Sequence, residues 1–523
     1  MDTQKLDARG YSALKRLMKN PESLAALGNK MRARTHSASL TGSYIGQLPV
    51  LDAEDLASVY ERARLAQVTW ALRPLDERVR IIRKFEKLVW KNEEALLDLE
   101  QWENGKARGH AFEEVADVAM NASYYARTAS KHLKDRKVKG AVPFVTKAFV
   151  HRTPRGVVSV ITPWNYPLTL AASDALPALI AGNAVVIKPD SATPYIGLAV
   201  KSLLIQAGLP DDVFQVVLGS GSVLGSKMIE LGDFLMFTGS TATGAKVAAQ
   251  AGEALIDVSA ELGGKNPMYI RADAPVDRAA RAAVKACFAN AGQLCISIER
   301  MYVHADVWDE FVEAFLGLVK GMKVTADMDW SADMGPLLSE DQLSKVETHV
   351  SDAVAKGATV LAGGTRLPDV SPRAYAPTVL TDVTPEMTLF AEETFGPVVS
   401  LYKVESDDEA ILAANSTKYG LNSAIWTGDL SEGEALARQI QAGTVNVNDG
   451  YTAAWAATDG VAGGVKQSGL GGRHGAEGIL KYTDAHLVAV QRVMAMQAPE
   501  GMGEKRWAKT MGRFLKFRGK LPF

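Results

Sequence analysis

Two short segments contain side chains that could carry out covalent or acid–base chemistry. FANAGQLCIS includes Cys295, shortly after Gly292 at a predicted helix-to-strand turn, and AELGGKNP includes Glu261 at the end of an apolar strand. A cysteine thiolate can attack a carbonyl carbon, and a carboxylate can act as a general base. Each has a plainer interpretation, because a lone cysteine is commonly a small buried apolar side chain and a strand-end glutamate commonly faces water. The second cysteine, Cys287, lies in an Ala-rich helical run and is predicted to pack only.

Four polar loops follow four predicted strands, 156–163, 183–190, 213–219 and 234–239. The loops read TPWNYP, KPDSATP, GSGSVLG and TGSTATG. Glycines and small hydroxyl residues at a helix N-terminus leave backbone N–H groups free to bind an anion such as a pyrophosphate. One such loop is weak evidence, but four loops at one sheet edge indicate a dinucleotide.

Strands and helices alternate in this region, with helices beginning near Pro167, Pro194, Ser222 and Thr241. Such alternation predicts βαβ crossovers and a parallel sheet whose ligands lie beyond the carboxyl ends of the strands. The preceding stretch, 52–135, has the three-to-four spacing of amphipathic helices, and 137–156 alternates like an exposed β-ribbon. A second α/β stretch follows at about 266–464.

Composition excludes several classes of protein. The 523 residues are 47% hydrophobic and 23% charged, with a net charge of −2, which gives no electrostatic footprint for nucleic acid. Two cysteines cannot form a disulfide framework, and no His/Cys cluster offers a metal site. With no signal-like or membrane-spanning apolar run, a cytoplasmic protein is expected.

Six motifs, in this order and at this spacing, resemble those of the aldehyde dehydrogenase superfamily, over about residues 52–495: PWNYP, FTGSTATG, ELGGKNP, GQLC, EETFGP and GGVKQSG. The resemblance implies an α/β fold with a Rossmann-like coenzyme domain, a catalytic α/β domain and an oligomerisation β-ribbon, assembled as a homodimer or homotetramer. The expected boundaries are an N-terminal extension at 1–36, a coenzyme domain at 37–135 and 154–265, a catalytic domain at 266–465, a ribbon at 136–153 and 480–495, and a basic amphipathic tail at 496–523.

The same resemblance assigns roles to three catalytic residues. Cys295 would be the nucleophile that forms a thiohemiacetal and then a thioester, and Asn165 would hold the oxyanion together with the Cys295 backbone N–H. Glu261 would activate the water that hydrolyses the thioester. Because relatives that pass the acyl group to coenzyme A typically lack this glutamate, the expected product is a free carboxylate.

The coenzyme is expected to be NADP, with NAD as a second coenzyme. Lys188 and Glu393 would bind the two riboses. NAD-preferring relatives often carry Glu where this chain has Ser191, and a small neutral residue leaves room for a 2′-phosphate, unless Asp190 turns inward. The remaining expected coenzyme contacts are Thr162, Pro163, Trp164, Gly221, Gly239, Ser240, Thr243, Gly244, Leu262 and Phe395.

The sequence leaves the aldehyde open. The overall pattern is most similar to the succinate-semialdehyde dehydrogenase branch, yet the positions where that branch places carboxylate-binding arginines hold Ser173 and Ala289. A roomy, largely apolar pocket would favour an apolar or aromatic aldehyde instead. Its expected lining adds Tyr166, Leu294, Ile296, Tyr451 and Ala462.

Other classes of function remain as alternatives. A non-catalytic protein that keeps the fold would have lost Cys295, Glu261 or Asn165, and all three are present. A cofactor-free thioester hydrolase would show no requirement for NAD(P). The basic tail predicts a helix that docks on the protein or a partner subunit, with a membrane-surface helix as the alternative.

Overall fold

The computed structural model describes residues 2–28, 32–139, 146–491 and 497–519. The strands, in chain order, are β1 Ala33–Ser37, β2 Tyr44–Pro49, β3 Arg136–Val138, β4 Thr146–Pro154, β5 Val157–Ile161, β6 Ala184–Lys188, β7 Phe214–Val216, β8 Phe234–Thr238, β9 Asp257–Glu261, β10 Asn266–Ile270, β11 Ile298–His304, β12 Thr359–Ala362, β13 Thr378–Thr381, β14 Val398–Val404, β15 Asn422–Trp426, β16 Thr444–Val447, β17 Gly469–Leu470 and β18 Thr483–Gln491. The helices are α1 Thr3–Leu17, α2 Leu56–Ala71, α3 Leu75–Lys91, α4 Glu93–Asn104, α5 Arg108–His132, α6 Pro167–Ser173, α7 Ala175–Ala181, α8 Pro194–Ala207, α9 Gly221–Leu231, α10 Thr241–Glu253, α11 Val276–Phe288, α12 Trp308–Lys320, α13 Glu340–Ala355, α14 Thr388–Ala391, α15 Asp407–Ala414, α16 Leu430–Ala437, α17 Thr452–Ala456, α18 Gly475–Leu480 and α19 Glu504–Arg518.

The first large sheet has six strands in the order β17-β9-β8-β5-β6-β7. Strands β5 to β9 are parallel, and only β17 runs antiparallel, against β9. The chain leaves β5 toward β6 and β7 on one side and returns to β8 and β9 on the other. The loops after β5 and β8 therefore flank a topological switch point, where ligands bind in sheets of this kind.

The second large sheet has seven strands in the order β12-β13-β14-β11-β10-β15-β16, all parallel except β12. Its strands β10, β11 and β14 are mostly buried, as expected for a parallel sheet covered on both faces. Helices α11, α12 and α13 contribute to an extensive apolar core cluster with this sheet. The α/β class with parallel sheets, predicted from strand–helix alternation and from the family resemblance, is confirmed.

The chain divides into two compact units. One comprises Met1–His132 and Pro154–Tyr482 and contains both large sheets. The other comprises Leu133–Thr153 and Thr483–Phe523, with a three-stranded sheet in the order β18-β4-β3 and helix α19. Parts of the expected ribbon and tail, 140–145, 492–496 and 520–523, lie outside the described residues. Among the described helices, none combines the length and apolarity needed to cross a membrane.

Candidate active site

A cavity of about 330 Å³ lies in the larger unit, at the switch point of the first sheet. The first sheet contributes the segments that follow β5, β8 and β9, and the second sheet contributes segments at the amino ends of β11, β14, β15 and β16. Cys295, Glu261 and Asn165, which are separated by up to 130 positions in sequence, all line this cavity. The structure thus brings the three predicted catalytic residues to one place.

The turn that presents Cys295 has an unusual backbone. Helix α11 ends at Phe288, and Asn290, Ala291 and Gly292 then adopt left-handed conformations with φ of 50°, 55° and 69°. Non-glycine residues in this region cost of order 1–3 kcal/mol each and persist where surrounding contacts hold them. Here the backbone N–H of Asn290 donates to His110, and its side chain donates to the carbonyl of Asn165 at 3.0 Å.

The Cys295 thiol is half-buried by side-chain exposure, and its surroundings do not favour a thiolate at rest. Burial raises its pKa to about 12, with the Arg473 guanidinium acting in the opposite direction. The carboxylates of Glu393 and Glu261 raise this pKa further. The thiol must therefore lose its proton before or during attack on a carbonyl.

Glu261 ends strand β9 and is buried. Burial raises its pKa to about 7, opposed by the nearby charges of Arg473 and Lys481 and by the backbone N–H of Gly464. Its Oε1 has no hydrogen-bond partner among the described residues, so this oxygen is free to accept a bond from water. A Cβ on Gly463 would lie 3.3 Å from Oε1, so glycine there leaves space beside the carboxylate. A carboxyl with a pKa near neutrality suits a general base.

Asn165 follows strand β5, and a hydrogen bond to its backbone carbonyl fixes its position. The Lys106 ammonium donates to that carbonyl at 2.8 Å and lies 4.2 Å above the ring centre of Tyr166. The Asn165 amide donates to the carbonyl of Gln293 at 3.1 Å, which ties it to the turn that carries Cys295. An amide in this position is a suitable donor to an oxyanion.

Lys106 belongs to a fully buried charge cluster. It forms an ion pair with Glu114, both side chains having no exposed surface, and Glu114 also accepts from the backbone N–H groups of Leu168 and Thr169 at the start of α6. Burial and the neighbouring Glu114 raise the pKa of Glu100 well above its usual value. The cluster is therefore close to neutral overall, and it anchors the loop that carries Asn165.

The expected coenzyme contacts fall into two groups. Those that line the cavity are Pro163, Trp164, Gly239, Ser240, Leu262, Glu393 and Phe395. Those outside its lining are Thr162, Lys188, Asp190, Ser191, Gly221, Thr243 and Gly244. The second group lies on the strand-end loops after β5 and β6 and at the starts of α9 and α10, along the same sheet edge.

Several details of this edge fit a dinucleotide. Among the described residues, the buried hydroxyl of Thr162 has no partner, and the ammonium of the buried Lys188 bonds only to the carbonyl of Pro189, at 3.2 Å. Ser240 caps helix α10, whose first turn carries no acidic residue. Asp190 accepts from the backbone N–H of Ala192 at 2.9 Å, so one of its oxygens is engaged in a local turn. A free hydroxyl and a lysine ammonium suit ribose oxygens, and a helix start without acidic residues suits a pyrophosphate.

Six of the seven residues expected in the substrate wall line this cavity. Tyr166, Ser173, Leu294, Ile296, Tyr451 and Ala462 line the cavity. Ala289 does not: it is buried within the apolar core behind the Cys295 turn. Ala289 directly precedes the left-handed turn that begins at Asn290.

The sequence analysis missed a polar group in the cavity wall. Arg473 pairs with Asp174 through two bonds of 2.7 and 2.9 Å, and His474 lines the cavity beside Asp117. Asp117 is fully buried and accepts from Ser173 at 2.7 Å and from the Trp455 indole at 2.6 Å. The only available signal was the run GGRHG directly after the GGVKQSG motif.

Comparison with known proteins places this geometry in a family. The profile of the aldehyde dehydrogenase family matches residues 28–488. A Mycolicibacterium smegmatis protein provisionally named succinate-semialdehyde dehydrogenase (NADP+) is 54% identical over 482 residues, 92% of this chain and 93% of that protein. A Mycobacterium tuberculosis protein provisionally given the same name, numbered 2, is 50% identical over 94% of each chain. The crystal structure of succinate-semialdehyde dehydrogenase from Burkholderia pseudomallei superposes with a TM-score of 0.85 at 32% identity, covering 90% of this chain and 99% of that one.

The chain therefore belongs to the aldehyde dehydrogenase family, a family of oxidoreductases, and the resemblance inferred from six motifs is confirmed.

Proposed function

We propose that this protein oxidises succinic semialdehyde to succinate with NADP as the preferred coenzyme, through covalent catalysis by Cys295. The convergence of Cys295, Glu261 and Asn165 on one cavity supports the covalent route. The names of the 50–54% identical relatives support the substrate and the coenzyme.

In this mechanism the three residues act in sequence. The Cys295 thiol gives up its proton to water, and its sulfur adds to the aldehyde carbon. The Asn165 amide with the Cys295 backbone N–H holds the resulting oxyanion, at about 3 kcal/mol per donor. Loss of hydride from this adduct, for which a bound nicotinamide coenzyme would be the acceptor, leaves a thioester on Cys295. Glu261 then takes a proton from the water that attacks the thioester, which releases the carboxylate and returns Cys295 to its thiol or thiolate form.

The coenzyme would be held along the edge of the first sheet. Lys188 and Glu393 would bind ribose hydroxyls, and the start of α10 near Ser240 would face phosphate oxygens. Glu393 accepts from the backbone N–H of Gly264 at 2.9 Å, which orients its carboxylate. Ser191, whose hydroxyl donates to the carbonyl of Gly219 at 3.3 Å, places no negative charge near a 2′-phosphate.

Two substitutions test the covalent route. Cys295→Ala is expected to abolish oxidation and keep coenzyme binding, whereas Cys287→Ala, a matched change of the second cysteine, keeps full activity. Glu261→Gln is expected to slow thioester hydrolysis more than hydride transfer, which leaves a rapid burst of reduced coenzyme followed by a slow steady rate. Oxidation that survives the Cys295 change would overturn the scheme.

An aromatic or apolar aldehyde is the second candidate substrate, and the cavity wall gives a specific reason. Tyr166, Leu170, Ile296 and Trp455 make the wall largely apolar, and the Arg473 guanidinium is already paired with Asp174. A substrate carboxylate without a cationic partner loses charge-assisted hydrogen bonds of about 1.5–3 kcal/mol each.

The substrate test compares kcat/KM for succinic semialdehyde and benzaldehyde with NADP, side by side. A preference for succinic semialdehyde of ten-fold or more, about 1.4 kcal/mol, supports the proposed substrate. A preference of the same size for benzaldehyde would assign the pocket to apolar aldehydes and overturn the proposed substrate while leaving the covalent route intact.

The proposal extends to assembly and location. A homodimer or homotetramer that uses the three-stranded sheet of the smaller unit is consistent with the exposed Leu487 and Val490 on strand β18. The proposed location is the cytoplasm. Light scattering coupled to size-exclusion chromatography tests it, with Leu487→Lys expected to lower the molar mass. A monomer in the unmodified protein would contradict it.

A further inference from the structure

Arg473 is a partly buried cation in the cavity wall with no role in the mechanism above. Its Nε and Nη2 donate to the two oxygens of Asp174 at 2.7 and 2.9 Å, and Nη2 also donates to the Thr238 hydroxyl at 2.5 Å. Among the described residues, Nη1 forms no hydrogen bond. The backbone of Arg473 pairs with Ala462 in both directions, so the side chain is held at its base as well as at its tip.

The charges that face Glu261 come from four elements. Arg473 lies after β17, Lys481 follows α18, Asp174 lies between α6 and α7, and Cys295 lies on the turn before β11. Arg473 and Lys481 favour the carboxylate form of Glu261, and Asp174 opposes it. The geometry also ties Arg473 to this site, because its Nη2 donates to Thr238, the register partner of Glu261 on the neighbouring strand, and both Arg473 and Glu261 line the cavity.

The pairing with Asp174 explains how a cation can stay in this position without capturing the general base. Asp174 is 1% exposed by side chain and occupies two guanidinium nitrogens, which leaves Arg473 unable to swing onto Glu261 as a direct ion-pair partner. Consistent with this, Glu261 Oε1 remains without a hydrogen-bond partner among the described residues. The guanidinium therefore acts on Glu261 through space, as an electrostatic support.

We propose that Arg473, locked by Asp174, is a positioning residue for the hydrolytic half-reaction: it keeps the buried Glu261 ionised and free to accept a proton from water at neutral pH. This inference rests on the proposed role of Glu261 as the general base. It predicts that Arg473 matters for the pH dependence of thioester hydrolysis and far less for the maximal rate at high pH.

The experiment measures hydrolysis of the acyl-enzyme formed on Cys295 by p-nitrophenyl acetate, from pH 5.5 to 9.5, without coenzyme. The unmodified protein is expected to lose rate below about pH 7, where Glu261 becomes protonated. Arg473→Gln is expected to move this loss to higher pH by one unit or more, with a rate about ten-fold lower at pH 7 and nearly unchanged at pH 9.5. Arg473→Lys, which keeps the charge, is expected to restore most of the original profile.

Two further variants separate electrostatics from folding. Arg473→Gln alone leaves the Asp174 carboxylate buried without its cation, which could destabilise the fold. The double variant Arg473→Gln, Asp174→Asn avoids this, because two neutral side chains replace the ion pair and can keep a hydrogen bond between them. This double variant is expected to shift the profile upward as well, because Arg473 influences Glu261 more than Asp174 does. Arg271→Gln removes an arginine of the same exposure, paired with Asp407 outside the cavity, and is expected to leave the profile unchanged.

The outcomes distinguish the inference from the function on which it rests. In a Glu261→Gln background, adding Arg473→Gln is expected to have no further effect on the pH profile. If Glu261→Gln hydrolyses the acyl-enzyme normally, the general-base role fails, and the inference fails with it. If Glu261→Gln hydrolyses the acyl-enzyme slowly but Arg473→Gln leaves the shape of the pH profile unchanged, the inference alone is overturned. An unchanged shape means that the hydrolysis rate falls by the same factor at every pH or does not fall at all.

Discussion

The buried ion pair beneath Asn165 gives a prediction of both stability and activity. Replacing Lys106 with Met removes the ammonium that pairs with Glu114 and holds the Asn165 carbonyl at 2.8 Å. Breaking a fully buried pair on one side costs about 3–5 kcal/mol, because the remaining charge has no partner. Because the Asn165 loop also loses its anchor, we expect kcat to fall about ten-fold or more.

The loss of stability depends on pH in a definite direction. Burial already raises the pKa of Glu114, and Lys106 opposes this rise, so removing Lys106 raises the pKa further. A carboxyl whose pKa is raised in the folded state adds stability below its unfolded pKa, and this contribution is lost as pH rises through the folded pKa. The Lys106→Met protein is therefore expected to lose more free energy of unfolding at pH 8 than at pH 5.

Urea denaturation followed by tryptophan fluorescence, at fixed protein concentration, measures both effects. Adding Glu114→Gln removes the lone charge and keeps acceptors for the backbone N–H groups of Leu168 and Thr169, so it should recover about 2 kcal/mol or more at pH 8. A loss below about 1 kcal/mol for Lys106→Met at pH 8, or no recovery in the double variant, would refute the argument.

Three further substitutions have defined outcomes. In Gly263→Ala the new Cβ would lie 2.6 Å from a Glu393 carboxylate oxygen, so NADP affinity, measured by fluorescence titration, should fall at least five-fold with little change in the urea midpoint. Ser191→Glu adds a carboxylate near the expected 2′-phosphate, so the ratio of kcat/KM for NADP over NAD should fall about ten-fold or more, whereas Ser191→Ala should leave it nearly unchanged. Gly292→Ala places a side chain at a φ of 69° and its Cβ against the Gly396 carbonyl oxygen, so it should lower the free energy of unfolding by about 2 kcal/mol or more in urea denaturation. A near-neutral result would contradict the left-handed turn before Cys295.

Local pattern was sufficient for the parts of the fold that depend on neighbouring residues. The runs after Gly156, Asn183 and Asp233 became strands β5, β6 and β8, and helices begin within a residue of the predicted Pro167, Pro194, Ser222 and Thr241. Parallel strands place their carboxyl ends at one edge, so the loops after them could be predicted to meet. The roles of Cys295, Glu261 and Asn165 came from the family resemblance, each through a short local motif.

Only the tertiary structure decided which distant charges support those residues. Lys106 and Glu100 lie in a stretch, LDLEQWENGK, for which the sequence analysis predicted no role, yet both are buried in the charge cluster that anchors the Asn165 loop. Arg473 and Asp174 are 299 positions apart and pair beside Glu261. Hydrophobic periodicity indicates which face of an element is buried, but it carries no information about which remote charge that face meets. For the same reason, resemblance to one branch of the family put Ala289 among the expected substrate residues, whereas the structure buries it in the apolar core.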